Sequence, residues 1–379
     1  MTRSAILFAS LFFVAGCAGR PAKAVVKKEK PEFAVIGYVA GYNGLIKTET
    51  LDVAKLTHIN YAFVDIKDSL AWLHNEKTDT TNFRLLNLLK EKNPHLKIMI
   101  SIGGWSWSKN FSDAVLTESS RKAFAASAAQ IVYQHDLDGV DIDWEYPNMR
   151  GDGNVFRPED KQHYTLMFAE LRHALDSIQQ KTKKPYQLTT AVGGFPEFIR
   201  NTEMDKAQQS LDYINLMTYD YSWGVAGHHT NLYTSGTDPG EGAADKAVKA
   251  YIAAGVPPAK LVMGLAFYGR AGVVSTTQGH GLGQKIIAPA KGGGFTFIKD
   301  SLIGRKGYVR YWDEKARAPY LFNDSTRTFI SYDDELSVQA KCNYVLERNL
   351  GGVMFWEYSS DPKGYLLGVV NEVLAPHSK

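Results

Sequence analysis

From residue 34 onward, short continuous apolar runs alternate with longer stretches whose apolar residues recur every third or fourth position. Runs of the first kind fit strands buried on both faces, and stretches of the second kind fit amphipathic helices. The predicted strands are Ala34–Val39, His58–Val64, Lys97–Ile102, Gly139–Asp143, Gln187–Ala191, Tyr213–Met217, Leu261–Leu265 and Gly352–Trp356. The helical patterns that stand out are Asn82–Lys92, Ser119–His135, Glu159–Lys181, Ala243–Ala254 and Glu335–Arg348. This alternation argues for a parallel sheet with helical crossovers. Eight strands in this order imply an α/β protein built as a (β/α)8 TIM barrel, with its catalytic groups at the C-terminal ends of the strands.

The rhythm breaks once. Between Arg270 and about Asp333 the seventh strand is separated from the last helix by far more chain than an ordinary βα loop. A Gly-rich portion (Gly279 to Gly294) is followed by β-like pieces at Tyr308–Trp312, Tyr320–Phe322 and Thr328–Tyr332. Their aromatic density predicts a small folded α+β insertion over 271–333, between the seventh and eighth strands. The barrel then comprises 33–270 and 334–375.

One strand carries chemistry. In Leu137-Asp138-Gly139-Val140-Asp141-Ile142-Asp143-Trp144-Glu145-Tyr146-Pro147, side chains alternate between faces. Val140, Ile142 and Trp144 share one face, ready for a core; Asp141, Asp143 and Glu145 share the other. A solvated edge strand is the plain alternative, but like charges at every second position repel one another. Charges this close are expected to share protons, and the outermost carboxyl, Glu145, is then the proton donor near neutral pH. All three carboxylates leave one strand on one face, so this motif supplies no partner across a scissile glycosidic bond. The nucleophile must come from elsewhere.

Asp138-x-x-Asp141-x-Asp143-x-Glu145 resembles the signature of glycoside hydrolase family 18, the chitinases and their relatives. In that family the substrate's own N-acetyl oxygen attacks the anomeric carbon, which accounts for the missing second carboxylate. The resemblance implies that Glu145 is the general acid/base, that Asp143 orients the acetamido group, and that Asp141 holds or exchanges a proton with Asp143. Further strand ends resemble the family. Ser101-Ile102-Gly103-Gly104-Trp105 ends the third strand, although glycines in such a motif also serve close packing. Met217-Thr218-Tyr219-Asp220 ends the sixth strand, with Tyr219 expected on the acetamido carbonyl and Asp220 on sugar hydroxyls. Tyr268-Gly269-Arg270 is expected to end the seventh and contact substrate, and Trp356 to form the floor beneath the reacting sugar. Gly104, Trp105, Tyr146, Met217, Tyr38 and Phe63 complete the expected substrate-binding set, with core packing an equal alternative for Met217 and Phe63. The insertion resembles the insertion domain of the family's deep-cleft branch. The resemblance implies a chitinase cutting β-1,4-linked N-acetylglucosamine polymers or oligomers with retention. The competing readings are an endo-β-N-acetylglucosaminidase acting on N-glycans and a chitinase-like lectin without catalysis.

Composition changes little. With 44% hydrophobic and 22% charged residues, the profile is that of an ordinary globular chain. A net charge of +3 is too weak to argue for nucleic acid. No metal or cofactor is expected: His228-His229 has no acidic or Cys company and reads as a loop pair, and Gly292-Gly293-Gly294 lacks the residues of a phosphate loop. A monomer is the expectation. The N-terminus adds an address. Arg3, the apolar run Ala5–Val14 and Val14-Ala15-Gly16-Cys17 resemble a bacterial lipoprotein signal over 1–16, with Cys17 lipidated and 17–32 a flexible tether. The apolar run is too short to span a membrane. The expected location is the cell envelope, at the outer membrane or cell surface, held by that lipid anchor. Cys342 is then left without a disulfide partner.

Overall fold

Eight parallel strands close on one another: β1 (Ala34–Ala40), β2 (His58–Lys67), β3 (Lys97–Gly103), β4 (Gly139–Asp143), β5 (Gln187–Gly193), β6 (Tyr213–Met217), β7 (Leu261–Ala266) and β8 (Gly352–Trp356). Each pairs with the next in sequence, and β8 pairs with β1 through Ala34 opposite Gly352 and Gly37 opposite Phe355. This computed structural model describes Met1 and residues 33–222, 224–236 and 242–377. The expected signal peptide beyond Met1, Cys17 and the expected tether lie outside the described residues.

The alternation in the sequence becomes an inside and an outside. Val140, Ile142 and Trp144 point outward into one continuous core, shared with Phe124 and Phe168 on the covering helices. The opposite faces of the strands meet within the barrel, where Ile36, Tyr38, Ala62, Val262 and Met354 form a second, smaller apolar cluster. Asp141 and Asp143 lie on this inner side and are buried, so the acidic face is not a wet one. Burying a large apolar side chain contributes about 1.5–3 kcal/mol, and the outer core alone holds enough of them to fix the frame.

Helix ends explain which predicted boundaries agree. Glu335–Arg348 begins where the Asp334 carboxylate accepts from the N–H groups of Leu336 and Ser337, and ends at Asn349 in the left-handed region. Thr117 caps Glu118–Gln134 in the same reciprocal manner with Ser120. The expected helix Asn82–Lys92 instead spans Glu76–Leu88, because Asn75 accepts from Thr78 N–H and starts it a turn and a half earlier. Its first residues are polar and give no apolar signal until Phe83.

The segment after β7 forms a five-stranded antiparallel sheet in the order Ile286–Gly294, Tyr268–Val274, Thr328–Ser331, Ala318–Asn323, Tyr308–Asp313, with one helix at Phe295–Ser301. Leu321 and Ile330 on one face join the main core, while Tyr320, Phe322 and Phe329 on the other form a cluster with Val274. The first strand of this sheet starts at Tyr268, paired with Gly294. Tyr268 and Arg270 therefore sit on the added sheet, and not at the end of the seventh barrel strand as the sequence suggested.

Candidate active site

The C-terminal ends of the strands open into a cleft of about 1230 Å³. Tyr38, Phe63, Trp105, Asp143, Glu145, Tyr146, Met217, Tyr219, Asp220, Tyr268, Arg270 and Trp356 all line it. Of the candidates read from the sequence, Asp141 and Gly104 do not.

Asp141 lies beneath the cleft, fully buried. Its carboxylate accepts from Tyr38 Oη (2.9 Å) and Ser101 Oγ (2.7 Å) on one oxygen, and from Thr189 Oγ1 (2.6 Å) and Asn215 Nδ2 (3.2 Å) on the other. Burial raises its pKa, and these four donors oppose the rise. Asp143 is the contrary case. Its Oδ1 is buried with no hydrogen-bond partner, and burial, then Glu145, then Asp141 push its pKa well above the usual carboxylate range. Glu145 stands one pleat further out. Burial pushes its carboxyl up to about 7, with Tyr146 opposing and the Asp220 charge assisting. The sequence argument placed the cause in like-charge repulsion; for both groups withdrawal from water comes first. Asp138, the first member of the signature, is at the other end of β4, held by Lys90 (2.6 Å), Lys184 (3.1 Å) and the N–H of Ile98 (2.8 Å). It anchors the strand.

Gly103 and Gly104 earn their place by geometry. Both have positive φ, and a Cβ on Gly103 would stand 2.3 Å from the carbonyl oxygen of Asp143. A Cβ on Gly104 would collide with the Phe63 ring at 2.5 Å. Without side chains, the Gly104 N–H reaches that Asp143 carbonyl at 2.7 Å, and Ser108 Oγ accepts from the N–H of Glu145 at 2.8 Å. The motif thus holds the acid strand and Phe63 in place, and Gly103 rather than Gly104 borders the cleft.

The floor is aromatic. Phe63 stacks on Trp356 with centroids 5.5 Å apart, and Tyr38 leans on the same indole at 5.7 Å. Phe63 is thereby both buried and cleft-lining. Tyr146 is braced by Phe195 (5.4 Å) and faces the exposed Trp105 (6.3 Å). On the opposite wall Asp220, with φ +60°, is clasped by Tyr268 Oη (2.8 Å) and by Arg270 through Nε (2.7 Å) and a terminal nitrogen (2.5 Å). Burial would raise the Asp220 pKa, but Arg270 and His229 outweigh it and hold the carboxyl well below the usual range. Tyr219 Oη lies 3.8 Å from the Met354 sulfur.

The sequence matches the family model of glycosyl hydrolases family 18 over residues 34–361. The chain belongs to that family. Chitinase A1 of Niallia circulans is 36% identical over 87% of this chain, which spans 56% of that relative's length. Chitinase 1 of Aphanocladium album is 32% identical over 90% of this chain and 85% of its own. Among solved structures, a family 18 N-acetylglucosaminidase from Paenibacillus barengoltzii superposes with a TM-score of 0.84 at 41% identity, covering 90% of this chain and all of that one.

Some residues of this family 18 site escaped the sequence reading. Thr189 and Asn215 hold Asp141 from mid-strand positions that looked like core, and Trp107 and Tyr42 join the cleft from short helical turns. His228 and His229 lie in a loop, as expected, and the structure adds an acidic partner for each. They diverge, as adjacent side chains do, but both are buried: His228 faces Asp313 at 3.1 Å and His229 faces Asp220 at 3.4 Å. Adjacent histidines in a polar segment give no periodic signal, so nothing in the sequence marked them as interior.

Proposed function

We propose that this chain hydrolyses β-1,4 links between N-acetylglucosamine units of chitin or its oligomers, with retention and with the substrate's acetamido oxygen as nucleophile. The observation that carries the reading is the Glu145 carboxyl, pushed up to about 7 at the edge of an aromatic-lined cleft. A carboxyl protonated near neutrality can give its proton to the leaving glycosidic oxygen as the bond to the anomeric carbon breaks. The acetamido oxygen then closes on that carbon, forming an oxazolinium ion. The Glu145 carboxylate next takes a proton from water, whose oxygen opens the ring to the β product. Asp143, with an unpartnered buried oxygen, suits the acetamido N–H, and the Tyr219 hydroxyl suits its carbonyl. Trp356 offers a flat apolar face to the reacting sugar. Asp220 is engaged by Arg270 and Tyr268, which argues against its use as an attacking carboxylate.

Proton NMR of the first product decides the stereochemistry: the β anomer is expected, and initial α anomer sinks the retaining route. Oligomers with a free amine at the reacting sugar should stay intact. A second reading comes from the Paenibacillus neighbour, an N-acetylglucosaminidase. Early products from a chitin tetramer separate the two: mainly disaccharide favours a chitinase, and only single sugars favour the exo-acting alternative. Release of N-glycans in preference to chitin oligomers would point to the glycan-cutting reading. The proposal includes attachment to the cell envelope through Cys17, which rests on Arg3, the apolar run Ala5–Val14 and Val14-Ala15-Gly16-Cys17.

A further inference from the structure

His229 is a polar side chain in a costly place. It is fully buried, and its Nε2 has no hydrogen-bond partner. An apolar residue of similar size would avoid leaving a buried nitrogen unsatisfied. The other ring nitrogen, Nδ1, accepts from the Asp220 backbone N–H (3.4 Å) and lies 3.4 Å from Asp220 Oδ1. The ring rests against Tyr268, centroids 5.3 Å apart, the same tyrosine that donates to Asp220. Its backbone is fixed as well: the N–H donates to Ser331 Oγ (2.9 Å) and the carbonyl accepts from Tyr221 N–H (3.2 Å).

From this geometry we infer that His229 is a positioning residue, which fixes the backbone of Asp220 and so aims its carboxylate at Arg270 and Tyr268 beside the reacting sugar. The inference rests on the proposed glycosidase reading of the same cleft. To accept the Asp220 N–H, Nδ1 carries the lone pair, so the contact holds the Asp220 main chain, at φ +60°, and through it the direction of the side chain. Oδ1 of Asp220 then receives Tyr268 and Arg270 Nε, and Oδ2 receives the other arm of Arg270. The charged and titratable groups facing Asp220 are Arg270 and Tyr268 from the added sheet, His229 from the loop, Tyr219 just past the end of β6, and Glu145 and Tyr146 just past the end of β4. Those facing His229 are Asp220 and Tyr268. The neighbouring His228 ties the same loop to Asp313 on the edge strand, so the added sheet grips this wall of the cleft from two directions.

The test contrasts two polar substitutions that differ by one methylene. In His229→Asn the amide oxygen can take the place of Nδ1 as acceptor; in His229→Gln it is carried past it. His229→Gln is expected to lower kcat/KM on chitin tetramer by about tenfold, as the loss of one coupled contact would. Its acid limb should move to higher pH, because Asp220 protonates more readily, while His229→Asn stays within about twofold of wild type. In an Asp220→Asn background, His229→Gln should add no further loss. Equal behaviour of Asn and Gln, or a full additional loss in the Asp220→Asn background, overturns the assignment and leaves a packing role. Titration of the Asp220 carboxyl by ¹³C NMR needs no substrate. A raised midpoint in His229→Gln alone supports the inference even if wild type cuts no chitin oligomer, a result that would count against the glycosidase reading only. An unmoved midpoint defeats the inference.

Discussion

Glu145 holds its proton because the fold withdraws its carboxyl from water, and that has consequences for both rate and stability. The proton donor is lost as pH rises through about 7, so kcat/KM should show its basic limb near there. Glu145→Gln should keep the fold and oligosaccharide binding while turnover falls about a hundredfold to ten-thousandfold, measured on an unactivated oligomer. The same residue taxes the fold. Its pKa in the folded state lies above the unfolded value of 4.5, so the native state is penalised once pH exceeds that value, and fully so above about 7. At pH 8 the Gln variant should be more stable by up to ~3 kcal/mol, and at pH 4, where both states carry the proton, by almost nothing. Thermal melts at the two pH values check this; a gain equal at both would point to packing instead of charge. The sequence exposed Glu145, Asp143 and Tyr219 because they sit in short motifs with fixed alternation. Thr189, Asn215 and His229 were silent because each acts through another residue and sits in no motif of its own. Asp138 shows the converse: it belongs to the signature, yet it braces the far end of the strand.

At the level of elements, the added sheet is part of the site and part of the core. Tyr268 and Arg270 reach Asp220 from its first strand, and Ile330 and Leu321 enter the barrel's outer core from strands deep within it. A buried ion pair joins the pieces. Lys341 Nζ, on the helix after the sheet, lies 2.8 and 2.7 Å from the two Asp333 oxygens and 2.7 Å from Thr230 Oγ1, with both charged side chains shut off from solvent. Asp333 also accepts from the Ala266 N–H at the end of β7 and from Ser337 Oγ. Lys341→Met should cost about 3–5 kcal/mol in chemical denaturation, because it strands a buried carboxylate. Adding Asp333→Asn should recover at least half of that; no recovery would show that the helix is held by packing alone. The barrel strands were legible because apolar runs of one length recur between helical patterns. The added sheet was legible only as an interruption rich in aromatics, since its pairing joins strands far apart in sequence. The short hairpin strand Leu70–Trp72 and the helix Tyr365–Leu374 went unread, the first too brief for a pattern and the second apolar nearly all round.

For the molecule as a whole, the question is what keeps such an enzyme where its substrate is. Among the described residues no helix is long and apolar enough to cross a bilayer. The proposed attachment rests on the N-terminal segment, and within it on Cys17. The physical demand is specific. One acyl chain holds a protein only marginally, whereas the several chains of a mature bacterial lipoprotein hold it firmly. Cys17→Ser in the full chain should shift the protein from the membrane fraction to a soluble or unprocessed form, with kcat/KM on a soluble chitin tetramer unchanged. An anchored enzyme should then favour diffusible oligomers over solid chitin in whole cells, and Cys17→Ser should narrow that preference. Mature protein with Cys17 intact that carries no label from a fatty-acid precursor and stays in the soluble fraction would defeat the anchor, while leaving the chemistry of Glu145 untouched.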